Sequence, residues 1–251
     1  MKEIIFGKRT VIEALKSGIS VRNLYIFKDM KNKEAFLKEA ANLSNEPRLS
    51  PKEVSRRELE LITENKKHGG IAIEIEGKQF VGIEQILLNA RNKKEGPLLL
   101  VLNGIEDPHN LGAIIRCAEG SGVHGIILPK RRSARIGPTV ARTSAGAIYH
   151  MLISLVANIS QTLLKLKDKG IWIVGTEPSA EKKYYEIDFN LPIALVIGSE
   201  GKGIQRNVKE KCDFVVKIPM MGKIQSLNAS VSAGILLYEA LRQRIERKKI
   251  I

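Results

Sequence analysis

The sequence predicts an α/β protein whose larger part is a parallel sheet covered by helices on both faces. Three observations predict it. From Leu98 onward, short apolar runs rich in β-branched residues alternate with stretches of helical periodicity, the pattern of repeated βα units. Residues 2–75 alternate strand and helix on a smaller scale. Between the two lies Arg91-Asn-Lys-Lys-Glu-Gly-Pro97, charged and ending in Gly-Pro, which marks a boundary. The expected division is a small unit over residues 1–76, a linker over 77–96 and a domain over 97–251.

Taken in order, the first unit is expected to hold a helix from Gly7 to Lys16, a strand from Asn23 to Phe27, a helix from Lys33 to Asn42 and a final strand from Gly70 to Ile75. His68-Gly69-Gly70 turns the chain into that strand, with His68 read as facing solvent. A helix-like piece, Ile83 to Ala90, follows. Strands of the larger domain are predicted at Leu98 to Leu102, Gly125 to Leu128, Met151 to Leu155, Ile171 to Gly175, Ile193 to Ile197 and Phe214 to Ile218. Helices fall between most of them, as at Leu111 to Gly120 and Ile159 to Lys169. The chain closes on a long helix with Leu227, Val231, Ile235, Tyr238 and Leu241 at helical spacing and Ser226 placed to cap it. Small residues fill its first turns, Ala229, Ser230, Ser232, Ala233 and Gly234, where a backbone or a ligand can come close.

Charge narrows the partners. The chain carries a formal charge of +14, and its excess is uneven: residues 1–75 have 15 basic and 11 acidic side chains, residues 97–251 have 22 and 13. A polyanion is therefore the first expected partner, held mainly by the C-terminal part. Lys130-Arg-Arg-Ser-Ala-Arg135 and Arg142 are the candidate contacts to an RNA backbone, because no acidic residue occurs between Glu119 and Asp168 to pair with these five. No apolar run approaches the roughly 20 residues that span a bilayer, and the first residues lack the pattern of a signal peptide, so a cytoplasmic location and no membrane partner are expected. Cys117 and Cys212 stand in no metal spacing and cannot make a disulfide framework; both are read as buried and inert, and no metal site is expected.

Two further stretches carry chemistry. Asp107-Pro-His-Asn-Leu-Gly-Ala-Ile-Ile-Arg116 follows the first strand of the larger domain, where open α/β sheets place ligand loops. Asn110 can cap the helix that starts there, and Arg116 stands among apolar and small neighbours, which implies that it emerges beside buried surface and needs a partner. Leu195-Val-Ile-Gly-Ser-Glu-Gly-Lys-Gly-Ile204 is a strand feeding a glycine loop. It does not match a nucleotide-phosphate loop: Gly198, Gly201 and Gly203 have the wrong spacing, no Ser or Thr follows Gly-Lys, and Glu200 would repel phosphate. An acidic residue in such a loop suits a cofactor that offers hydroxyls, an amine or a positive centre, and S-adenosylmethionine offers all three.

In order and spacing, Asn110-Leu-Gly-Ala-Ile-Ile-Arg116, Ile197-Gly-Ser-Glu-Gly-Lys-Gly203 and Ile218-Pro-Met through Ser226-Leu-Asn-Ala-Ser-Val-Ser232 resemble the three motifs of the SpoU/TrmH branch of the SPOUT RNA methyltransferases. The preceding unit resembles that family's RNA-binding domain of ribosomal-protein L30e type. The resemblance, and not the periodicity, implies a trefoil-knotted C-terminal domain, S-adenosylmethionine as cofactor and a site completed by a second subunit of a homodimer. It implies that Thr176, Gly198, Gly201, Ile218, Ser226 and Leu227 hold the cofactor, largely through backbone groups. Asn110, Arg116, Glu200 and Asn228 match its polar active-site positions. The implied reaction is methylation of a ribose 2′-hydroxyl, with guanosine in 23S rRNA as the target; tRNA is the alternative substrate, and a non-catalytic RNA-binding role on the same fold is the alternative function.

Overall fold

The computed structural model describes residues 2–43, 50–64 and 68–250, and the chain divides into two compact units. One comprises Met1–Gln79 with Ile136–His150, the other Phe80–Arg135 with Met151–Ile251. The division therefore falls at Gln79, not at Gly96-Pro97. The physical reason lies in the expected linker, which is mostly helix: its Ile86 is fully buried in the core of the second unit with Leu99, Val101 and Ile127. A segment from the middle of the expected larger domain also belongs with the first unit.

The first unit runs β1 (Lys2–Phe6), α1 (Lys8–Lys16), β2 (Val21–Phe27), α2 (Lys33–Leu43), β3 (Pro51–Val54), α3 (Arg56–Ile62) and β4 (Ile71–Glu76). Its four strands lie in the order β1-β4-β2-β3; β4 is antiparallel to both neighbours and β3 is parallel to β2. Alternation puts Ile71, Ile73 and Ile75 wholly inside, and α1 presents Val11, Ala14 and Leu15 to the same core. Two strands and one helix were not foreseen. β1 and β3 are short and β3 opens on proline, as edge strands do. α3 is set by a capping box, Ser55 accepting from the Glu58 amide while the Glu58 carboxylate accepts from the Ser55 amide. His68 does not simply face solvent: its Nδ1 accepts from the Gly70 amide at 3.0 Å and fixes the turn into β4.

Beyond residue 79 the chain runs α4 (Ile83–Asn92), β5 (Leu98–Asn103), α5 (Pro108–Gly120), β6 (Gly125–Pro129), α6 (Pro138–Thr143), β7 (Ile153–Val156), α7 (Ile159–Lys167), β8 (Trp172–Thr176), β9 (Lys182–Lys183), β10 (Ile193–Gly198), α8 (Arg206–Lys209), β11 (Phe214–Lys217) and α9 (Ala229–Ile250). Helix α6 belongs to the first unit. The other strands form one seven-stranded sheet in the order β7-β6-β5-β10-β8-β11-β9, parallel throughout. Strands β5 and β10 are buried along their whole length, as expected of strands covered on both faces. From β5 the chain winds outward through β6 and β7, then returns to build the other half, so the direction of winding reverses between β5 and β10. Open α/β sheets bind ligands at the carboxyl ends of the strands flanking such a reversal.

α9 differs from expectation in two respects. Its N-cap is Asn228, whose Oδ1 accepts from the Ser230 amide at 2.8 Å and the Val231 amide at 3.4 Å; Ser226 lies before the helix and does not cap it. Its buried stripe is Ala233, Leu236, Leu237 and Ala240, packed beside α5, whereas Val231, Tyr238 and Ile245 are 48, 52 and 44 % exposed. α9 is thus apolar on two faces, and only one is covered. No helix among the described residues is long and apolar enough to cross a membrane.

Candidate active site

The carboxyl end of β10 cannot continue straight, because the backbone folds back on itself at once. Ser199 and Gly203 exchange amide-to-carbonyl hydrogen bonds of 3.2 and 2.9 Å, so that Glu200, Gly201 and Lys202 form the tip of a tight loop. Gly198 makes this possible: a Cβ there would run into the backbone of Gly203 and Ile204. The loop holds Glu200 out over the start of two helices.

At the first of those helices the cap is Asp107, not Asn110. The Asp107 carboxylate accepts from the amides of His109 and Asn110 at 3.0 and 3.4 Å, with Pro108 in the first turn. Capping by Asp107 frees the Asn110 side chain, which donates from Nδ2 to Glu200 Oε1 at 2.9 Å. Asn228 donates from its own Nδ2 to Asn110 Oδ1 at 2.9 Å and also, at close range, to Glu200 Oε1. The Ala229 amide, first of α9, adds a longer contact to the same oxygen at 3.4 Å. Three residues from three separate stretches, Asn110, Glu200 and Asn228, therefore form one exposed polar cluster. One carboxylate oxygen of Glu200 is committed to it.

Beside the cluster lies a cavity of about 300 Å³, at the lower end of the range for small-molecule sites. Thr176, Gly198, Gly201, Ile218, Ser226 and Leu227 all line it. The sequence did not single out Glu177, Pro178, Met220 and Gln225, which line it too; each neighbours a motif residue, and only its place in three dimensions identifies it. Pro178, Ile197, Val216, Ile218 and Leu227 give apolar walls that suit a flat ring, and the loop backbone offers amides and carbonyls. Glu177 and Glu200 supply carboxylates, with Lys202 and Lys217 as the cations of the same lining. Apolar walls, backbone polar groups and carboxylates suit S-adenosylmethionine, which has an adenine ring, hydroxyls, an amine and a sulfonium.

Arg116 is not in this assembly. It is exposed on α5, forms no hydrogen bond or ion pair among the described residues and does not line the cavity. The helix explains why: six residues from Asn110 turn the chain about 600°, which leaves Arg116 about 120° around the axis and about 9 Å along it. The partner expected for it is not found among the described residues. Lys130, Arg131, Arg132 and Arg135 are exposed on the loop after β6, whereas Arg142 is exposed on α6 in the first unit. The two thiols are half-buried, not fully buried. Burial raises the pKa of both, that of Cys212 to about 12, which leaves them as unreactive thiols near neutral pH.

Comparison with known proteins follows the same lines. Residues 97–238 match the model of the SpoU rRNA methylase family, and residues 4–81 match that of the RNA 2′-O ribose methyltransferase substrate-binding domain. YacO of Bacillus subtilis (strain 168), named as a TrmH family tRNA/rRNA methyltransferase, is 41% identical over 242 residues, 96% of each chain. Among solved structures, the SpoU methyltransferase AviRb from Streptomyces viridochromogenes, in complex with the cofactor AdoMet, superposes with a TM-score of 0.80 at 25% identity, over 98% of this chain and 91% of that one. An RNA 2′-O ribose methyltransferase superposes with a TM-score of 0.74 at 28% identity, over 97% and 89%.

Proposed function

We propose, for a chain that belongs to the SpoU rRNA methylase family and is an S-adenosylmethionine-dependent RNA methyltransferase, that the acceptor is the 2′-hydroxyl of a guanosine ribose in 23S rRNA. The observation that carries this reading is the cluster of Asn110, Glu200 and Asn228 at the mouth of the cavity. S-adenosylmethionine, when bound, supplies an electrophilic methyl group. The protein's part is then to hold the ribose hydroxyl in line and to stabilise the negative charge that develops on it. Asn110 and Asn228, locked by Glu200, position the nucleotide, and the backbone around Thr176, Gly198, Gly201, Ile218, Ser226 and Leu227 holds the cofactor. Mapping ribose methylation in ribosomal and transfer RNA from cells lacking the protein tests the target. Loss of a mark in tRNA alone would refute the ribosomal assignment.

The site needs a second copy of the chain. Arg116 stands free on α5, and the uncovered apolar face of α9, with Val231, Tyr238 and Ile245, runs beside it on the neighbouring helix. Pairing across this face covers the apolar side chains and can bring Arg116 of one subunit to the cluster of the other. The protein is expected to sediment as a dimer at micromolar concentration, and Tyr238→Glu is expected to shift it towards monomer and lower activity with it. A wild-type monomer that methylates RNA at full rate would remove this element.

RNA is held by Lys130, Arg131, Arg132, Arg135 and Arg142, and selected by residues 2–75. Affinity should fall steeply with salt, and each lysine or arginine neutralised should reduce the slope of log K against log salt by about 1; an unchanged slope would take these residues out of the interface. For selection, exchanging residues 2–79 for those of a family member with another target should redirect methylation to that target. Retention of the original site would refute the division of labour.

A further inference from the structure

A second cavity, of about 290 Å³, opens at the carboxyl ends of β5 and β6, on the other side of the Glu200 loop from the cofactor cleft. Asn103 is the last residue of β5 and only 4 % exposed. Its Oδ1 accepts from the Gln205 amide at 2.9 Å, which fixes the orientation of the side chain and turns Nδ2 to the cavity, where that donor has no partner among the described residues. A donor at the wall of a cavity, on a side chain otherwise buried, is free to bind an acceptor that enters. Opposite stand Arg131 and Arg132, on a loop pinned at both ends by backbone bonds from Lys130 to Val156 and from Ala134 to Ile105. Ile159 and Ser160, the first two residues of α7, close the cavity with amides that have no acceptor within the helix. No carboxylate lines it. A recess lined by Asn103, Glu106, Arg132, Ser199 and Lys202 joins it to the Glu200 loop, with one carboxylate against two cations.

Two arginines, an amide donor and a helix N-terminus line this one cavity, and together they suit an oxyanion. We propose that this cavity is a phosphate subsite that seats a phosphodiester of the RNA adjoining the nucleotide to be methylated. The assignment rests on the reading of the protein as an RNA methyltransferase. It adds a fixed contact that sets the register of the strand, distinct from the diffuse attraction of the basic surface.

Asn103→Asp is the discriminating change, because a carboxylate keeps the acceptor for Gln205 while replacing the donor with a negative charge. In the full-length protein, this variant should bind a short single-stranded RNA of mixed sequence roughly tenfold more weakly or worse, with cofactor affinity within about twofold of wild type. Arg132→Gln, at an exposed position that does not threaten folding, should weaken RNA binding and reduce the salt slope by about 1. Inorganic phosphate should compete for the same site in wild type and not in Asn103→Asp. Normal RNA affinity in both variants would overturn the proposal. So would a site that binds inorganic phosphate through Asn103 while RNA binding ignores the substitution, since the cavity would then serve free phosphate. Should wild type bind RNA through Asn103 while cells lacking the protein lose no methylation in 23S rRNA, the subsite stands and the target assigned above falls.

Discussion

Arg116→Ala is expected to lower the single-turnover rate of methylation by about 100- to 1000-fold, the usual loss when one preorganised donor to a developing oxyanion is removed. The acceptor is a ribose hydroxyl, a very weak acid, and the polar cluster offers no group able to take its proton outright. A guanidinium cannot act as the base either, since it stays protonated up to a pKa above about 12. The role proposed for it is to stabilise the alkoxide as charge develops and to hold the neighbouring phosphate, with the proton leaving to that phosphate or to water. Arg116 lines no part of the cofactor cavity, so S-adenosylmethionine affinity should be unchanged. Arg116→Lys should recover only part of the rate, because lysine lacks the planar fork. A rate within about threefold of wild type, with both ligands bound normally, would sink the assignment. The proposed dimer makes a further demand. Mixing Arg116→Ala chains with chains disabled in the cofactor loop should restore activity, because a mixed dimer contains one complete site. Failure to recover, with both variants dimeric, would mean that Arg116 acts within its own subunit.

The sequence made the strands of the parallel sheet legible because strands buried on both faces must be apolar along their length, as β5 and β10 are. Their order was not legible. Nothing in the residues of β10 says that it inserts between β5 and β8, since all three are interchangeable apolar runs. The boundary at Gly96-Pro97 misled for a related reason: a charged surface turn between a helix and a strand of one unit has the composition of a linker, and only the burial of Ile86 shows that α4 is core. Likewise α6 carries no mark of the unit it joins.

Within the site, sequence spacing identified the stretches but misassigned the caps. Asn110 and Ser226 were the expected caps, but Asp and Asn also cap well, and Asp107 and Asn228 stand directly before the two helices. The structure gives each cap to the residue nearest the first helical turn, and the consequence is chemical. Asn110, relieved of capping, reaches Glu200, while Asn228 caps α9 with its oxygen and reaches Glu200 with its nitrogen. Asn103 gave no signal at all, because a lone asparagine ending an apolar run is indistinguishable from the start of an ordinary turn.

Gly198→Ala should have the second large effect, and it should come from geometry alone. The added methyl group would meet the carbonyl carbon and oxygen of Gly203 and the nitrogen of Ile204, all backbone atoms that cannot rotate aside. Either β10 shifts against β5, where Gly198 pairs with Asn103, or the turn closed by Ser199 and Gly203 opens. The second is cheaper, since it breaks two hydrogen bonds at the surface and leaves the central strands in place. Opening the turn withdraws Glu200 from Asn110 and Asn228 and removes one wall of the cofactor cavity. Forced overpacking of this kind costs about 1 to 3 kcal/mol, so cofactor affinity should fall by about 5- to 150-fold and the melting temperature by about 2 to 4 °C for each kcal/mol. Gly201→Ala is the internal control: nothing lies within 4 Å of its Cβ position, so it should leave the melting temperature unchanged. Isothermal titration with S-adenosylmethionine and a thermal melt decide the matter. Equal affinity and equal melting temperature for Gly198→Ala and wild type would mean that the loop does not need the close approach on which the whole site is built.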